Sequence, residues 1–166
     1  MFIPKSFSVP KKTDMNNMYF LVPITTQDVM EDWLVLTNNA ETIFKTRGGR
    51  SRKEWPFVCS LEENYKDLAW LELSAEYKQL FSFIIRKKSN LKYVGCVYIY
   101  PIDLFYPEKK GKFDVDFSFW ITKKEFDKGN YEMIFELLYM WLIHTWPFKK
   151  ERIYLRNKLI PKKIAQ

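Results

Sequence analysis

Two aspartates one residue apart, Asp114 and Asp116, are the clearest candidates for acid–base chemistry in this chain. They fall in Phe113-Asp114-Val115-Asp116-Phe117-Ser118-Phe119-Trp120-Ile121-Thr122, whose alternation marks a strand. In a strand Asp114, Asp116, Ser118 and Trp120 share one face. A carboxylate among aromatic rings has its pKa raised by desolvation and can then serve as a general base. A second reading stays open: the face is solvated, and the two acids answer Lys109, Lys110 and Lys112 on the approach.

The strand runs into Thr122-Lys123-Lys124-Glu125-Phe126-Asp127-Lys128-Gly129-Asn130, read as a short polar loop ahead of an apolar helix. Backbone N–H groups and lysines at such a junction can hold a phosphate. The loop has one glycine, and Glu125 and Asp127 oppose an anion, so a solvated turn of mixed charge competes with the phosphate site. His144, the only histidine, stands near the end of that helix, where a cation suits the helix dipole. With no nucleophile elbow and no ligand-type spacing around it, it reads as structural, and no metal is expected. Trp55-Pro56 and Trp146-Pro147-Phe148 can line a cleft, but read more simply as packing anchors.

The elements that must position these groups follow from periodicity. Residues 1–17 are polar and proline-marked and read as a loosely attached arm. A first strand spans 18–24, with Pro23 at an edge or a strand end. A helix capped by Thr25 or Thr26 turns Val29, Trp33, Leu36 and Ala40 to one face and Glu31, Asp32 and Asn38 to the other. A basic loop covers 45–56, around Gly48-Gly49. Ser60-Leu61-Glu62-Glu63 is a capping box opening a helix to about residue 78, with Leu61, Tyr65, Leu68, Leu71 and Ala75 on one face. Strands follow at 80–87, 92–100 and 113–122, then a helix from Gly129 or Asn130 to before Pro147, then a strand at 151–156. The order β-α-α-β-β-β-α-β predicts a mixed-sheet α/β or α+β domain. The last strand–helix–strand unit predicts parallel pairing of its two strands.

Composition narrows the class. With 47% hydrophobic and 18% aromatic residues in 166, the chain reads as one packed globular domain. Cys59 and Cys96 form no disulfide framework and read as thiols in a reducing compartment, so the cytoplasm is expected. No signal-peptide core is present, and the longest apolar run, 137–148, is too short to cross a bilayer, so no membrane role is expected. The formal charge is +7, and residues 149–163 hold seven cations against one acid. Such a tail can meet a polyanion, but a single basic run is not the aromatic-interleaved surface of a nucleic-acid binder.

From about residue 18 to 156 the sequence resembles the Gcn5-related N-acetyltransferases (GNAT), in particular a divergent bacterial branch. The resemblance rests on Leu21-Val22-Pro23-Ile24-Thr25 with Asp28, Trp55-Pro56, Leu61-Glu62-Glu63-Asn64, and Asp67-Leu68. It continues with Val94-Gly95-Cys96-Val97-Tyr98-Ile99-Tyr100-Pro101, Phe117-Ser118-Phe119-Trp120-Ile121, Trp141-Leu142 and Trp146-Pro147-Phe148. It implies an acyl-CoA N-acyltransferase fold over 18–157, shortened by the later helix and closing hairpin, with 158–166 as a basic tail. It implies acetyl-CoA as cosubstrate and a small-molecule or peptide amine as acceptor, with the state, monomer or homodimer, open.

In such enzymes the strand matching 113–122 splays from its neighbour, and its backbone pairs with the pantetheine arm. The cofactor is therefore expected against Phe119, Trp120 and Ile121, with its phosphates near Lys124, Lys128, Gly129 and Asn130. Asp116 is the implied catalytic base. Phe126 and Tyr131 stand where the family's loop carries Gln or Arg and a final small residue. The acids of 62–76 suit a cationic acceptor or simply an exposed helix face. A non-catalytic binding module on the same fold is the alternative.

Overall fold

The computed structural model describes residues 2–49 and 54–164. Its centre is one six-stranded sheet, in chain order across its width: β1 (Thr13–Asp14), β2 (Tyr19–Pro23), β3 (Phe81–Lys87), β4 (Tyr93–Pro101), β5 (Val115–Ile121) and β6 (Ile153–Leu155). β1 to β5 pair antiparallel. β6 joins β5 in parallel, as the strand–helix–strand unit requires. The fold is the mixed α/β sheet expected from the sequence.

Helices cover both faces: α1 (Val29–Asn38), α2 (Ala40–Thr46), α3 (Leu61–Glu76), α4 (Lys123–Asp127) and α5 (Tyr131–Thr145). α5 lays Ile134, Phe135, Leu138 and Leu142 on Val97, Ile99, Phe117, Phe119 and Ile121. On the opposite face α1, α2 and α3 bring Leu36, Ile43, Leu68 and Leu71 against Ile84, Cys96, Tyr98, Tyr100 and Trp120. Trp146 stacks with Phe148 and meets Phe81, so the Trp-Pro-Phe element is a packing anchor. His144 is exposed in the last turn of α5.

β4 bulges opposite Ile85 and Arg86, where the register slips by one residue. Gly95 lies there because a Cβ would meet the Trp120 carbonyl at 2.2 Å. The capping box of α3 forms as read: Ser60 Oγ accepts from Glu63 N–H, and the Glu63 carboxylate accepts from Ser60 N–H at 3.0 Å.

Several elements differ from the sequence reading. Residues 2–17 are docked rather than loose: Ile3 is 1% exposed, and Phe2, Phe7, Val9 and Met15 pack on the α5-side core. α2 occupies the start of the expected basic loop, and residues 50–53 of that loop lie outside the described residues. Asp32, placed on the polar face of α1, is buried, because it accepts hydrogen bonds from Tyr93 OH and from Asn64 Nδ2 at 2.9 Å. Burial pushes the Tyr93 phenol well above its ordinary pKa, with the Asp32 charge adding to it. α3 is rotated, so Asn64, Leu68, Leu71 and Ser74 face inward while Leu61 and Tyr65 are exposed. Its acids serve the helix and its neighbours: Glu62 pairs with Lys66, Glu63 caps, and Glu72 accepts from Thr26 N–H. Among the described residues no helix is long and apolar enough to cross a membrane.

Candidate functional site

The site forms where β6 leaves β5. The Thr122 N–H donates to Val94 O, so alternation turns the backbone groups of Phe117, Phe119 and Ile121 away from β4, toward β6. β6 pairs with β5 only from Val115 to Phe117. The chain after β6 nevertheless holds this edge. Arg156 N–H donates to Phe117 O at 2.9 Å. Asn157 then replaces a strand with its side chain: its Oδ1 accepts from Phe119 N–H at 3.1 Å, and its Nδ2 donates to Phe119 O at 2.9 Å. A primary amide thus reads one backbone N–H and one C=O, the pattern any secondary amide would satisfy.

Tyr131, at the head of α5, completes the arrangement. Its ring stacks on Phe119 at 5.3 Å and meets Phe126 edge-on. Its hydroxyl accepts from Asn157 Nδ2 and donates to Leu159 O, both at 2.8 Å. Burial raises its pKa, which the Asn157 hydrogen bond partly offsets. Phe126 and Tyr131 therefore fill, from the inside, positions that the resemblance assigns to a small-residue phosphate loop.

Asp116 is neither solvated nor paired with the lysines before the strand. It shares a face with Ser118 and Trp120 as alternation predicted, but all three are buried. Its Oδ1 accepts from Arg156 Nε at 3.0 Å and its Oδ2 from Arg156 Nη2. Burial is the largest influence on its carboxyl and raises the pKa above the ordinary aspartate value, against the pull of Arg156 and Arg47. Arg47 is itself 1% exposed, donates to Ser118 Oγ at 3.1 Å and lies over the Tyr98 and Trp55 rings. Asp114, by contrast, is bonded at the surface by Arg152, whose hydrogen bonds hold its carboxyl below the ordinary range.

The segment read as a polar loop is the helix α4. Gly129 is its C-terminal glycine, at φ +77°, with Gly129 N–H donating to Phe126 O and Asn130 N–H to Glu125 O, a Schellman motif. Glu125 turns inward instead of opposing an anion. It accepts from Tyr19 OH at 2.6 Å and Asn130 Nδ2 at 2.8 Å, and pairs with Lys87 at 2.7 Å. Asp127 pairs with Lys123. Both acids are locally neutralised, leaving Lys124, within α4, and Lys128, at its C-cap, exposed. Phe119, Trp120 and Ile121 are wholly buried, backbone included, with the Phe119 N–H and C=O covered by Asn157. Among the described residues no group of three or more His, Cys, Asp or Glu side chains could hold a metal. Cys96 is buried and Cys59 half-buried.

Sequence reasoning missed Arg156, Asn157 and Arg47. The signal for the first was available: two strands predicted to run parallel carry Asp116 and Arg156, of opposite charge, at nearby register positions. Nothing local marks Asn157, because its partner is 38 residues away.

No family model and no curated protein sequence matches this chain. Its structure does match solved ones. A ribosomal L7/L12 alpha-N-protein acetyltransferase, RimL, in complex with coenzyme A superposes with a TM-score of 0.58 and 14% identity, over 79% of this chain and 67% of that one. The microcin C7 self-immunity acetyltransferase MccE, in complex with acetyl-CoA and AMP, gives 0.58 at 17% identity, over 81% and 67%. An acetyl transferase from Salmonella typhimurium that modifies the N-terminal serine of L7/L12 gives 0.59 at 11% identity, over 93% and 79%. The chain has the fold of the GNAT acetyltransferases.

Proposed function

We propose that this protein is an N-acetyltransferase that takes acetyl-CoA as acyl donor and a primary amine, on a small molecule or a peptide, as acceptor, acting in the cytoplasm. The observation that carries the reading is the outer edge of β5. At Phe119, past the end of the β6 pairing, it presents one N–H and one C=O to an amide, the Asn157 carboxamide, on a fold shared with acetyltransferases solved with coenzyme A. The pantetheine arm of the donor has amides of that kind. Its phosphates would lie near Lys124, Lys128, Gly129 and Asn130, where the two acids are already neutralised.

Acetyl-CoA supplies the acetyl thioester, the amine forms the new C–N bond, and the thiolate leaves. Asp116 takes the amine's proton, directly or through a water, its affinity for that proton raised by burial. Backbone N–H groups on the β5 edge polarise the thioester carbonyl. Arg156 competes with that role as long as it holds both carboxylate oxygens.

Calorimetric titration with acetyl-CoA and with CoA tests the reading: saturable binding in the micromolar range is expected, and no heat at high micromolar ligand would overturn it. A second reading has its own observation. The amide slot is already filled by Asn157, as in a non-catalytic module that keeps the fold and has closed the donor site. The same titration separates the two.

A further inference from the structure

We infer that residues 156–159 form a strap that closes the acyl-donor slot from within the chain and bows off β5 when the donor enters. The inference rests on the acetyl-CoA reading above and adds regulation of that site. The segment's contacts on β5 fall on the edge the donor needs. Arg156 N–H donates to Phe117 O, Asn157 takes both backbone groups of Phe119, and Tyr131 OH reaches Leu159 O. Leu159 N–H donates to Thr46 O at 3.1 Å, tying the strap across to α2.

The strap is made to detach. Lys158 and Leu159 are exposed, while Asn157 and the Arg156 side chain are buried. It is held by hydrogen bonds and one ion pair, with no buried apolar side chain of its own, and few apolar contacts mark a segment that opens locally. Both ends are fixed. β6 precedes it, and after it Pro161 is buried while Ile160 and Ile164 pack on the α5-side core. The segment can lift without releasing either flank. A donor amide restores the two bonds that Phe119 loses, whereas the Asn157–Tyr131 bond and the Arg156–Asp116 pair are given up, and that loss is the cost the strap places on binding. The same movement shifts Arg156, which covers Asp116 in the closed state. One segment thus masks both the donor slot and the candidate base.

The apparent affinity of a site that is open only part of the time falls by the open fraction, so weakening the strap tightens binding. The test is calorimetric titration of acetyl-CoA into the wild type, Asn157→Ala and Tyr131→Phe, with amide hydrogen exchange on each. Asn157→Ala removes all three bonds of the carboxamide. Tyr131→Phe removes two strap bonds and keeps the ring on Phe119, so the fold survives. Expected are about 10-fold or greater tightening for Asn157→Ala, a smaller tightening for Tyr131→Phe, and faster exchange at the Leu159 amide when donor binds the wild type. Equal affinities in all three proteins, with Leu159 exchange unchanged by donor, overturn the strap and leave the acetyl-CoA reading standing. Absence of binding by all three, with folded spectra, overturns both, and the segment is then a fixed part of the sheet edge.

Discussion

The two faces of the sheet bury their residues by different chemistry. Under α5 the contacts are nearly all apolar: Phe135 meets Phe119 at 5.0 Å and Phe117 at 6.4 Å, ring against ring. Under α1 to α3 the core is interrupted by buried polar groups, Asp32 with Tyr93 and Asn64, Arg47 with Ser118, and Asp116 with Arg156. An apolar face tolerates any neighbour of the right shape. A charged face is stable only if each partner arrives, and several here come from far along the chain. The candidate site lies on the boundary: Phe119 turns its ring to the apolar side, Asp116 its carboxylate to the polar side, and the β5 edge between them is covered by the strap.

Phe135→Ala attacks the apolar face and should show the largest effect. Loss of a fully buried ring costs about 4 kcal/mol, read as a lowered urea midpoint with unchanged slope. On the polar face, Asp116→Asn leaves Arg156 buried without its carboxylate and should cost about 3 kcal/mol by the same assay. Replacing both partners, Asp116→Leu with Arg156→Met, should return stability to within about 1 kcal/mol of wild type. A double variant as unstable as the single one would show that the faces differ in packing rather than in charge.

Glu125→Gln probes the ends of β2 and β3 where α4 meets them, and should cost about 1–2 kcal/mol at neutral pH. Burial alone would raise the Glu125 pKa, but hydrogen bonds from Lys87, Tyr19 and Asn130 outweigh it and hold the carboxyl below its ordinary value. A folded pKa below the unfolded one contributes stability above the ordinary glutamate value of about 4.3, which is lost as pH falls through the lower folded value. The variant should flatten that acid limb of a stability–pH curve, and an unchanged limb would remove Glu125 from this role. Ser60→Ala, at a helix cap away from both faces, should cost only about 1 kcal/mol in thermal unfolding.

The strands were legible because alternation and β-branched or aromatic content persist over five to nine residues in β2 to β5. The capping box was legible because its two residues recognise each other three positions apart. α4 was not, since five residues with four charges have no apolar period, and its helix is completed by a Schellman motif at Gly129. Within the site, Asp116 was legible as a type in a pattern. Its state was not, because burial and Arg156 decide it.

By itself, the sequence determined the order along the chain of the strands β2 to β6, the parallel pairing of β5 and β6 and the placing of Asp116 on one face of β5, since each follows from local periodicity and connection length. Tertiary structure alone decided that Asn157 occupies the Phe119 edge, that Arg156 covers Asp116, that Glu125 turns in to Lys87, and that residues 2–17 dock on the core. Those contacts join segments separated by tens of residues, and their energy comes from desolvation, which exists only once the chain has closed around them.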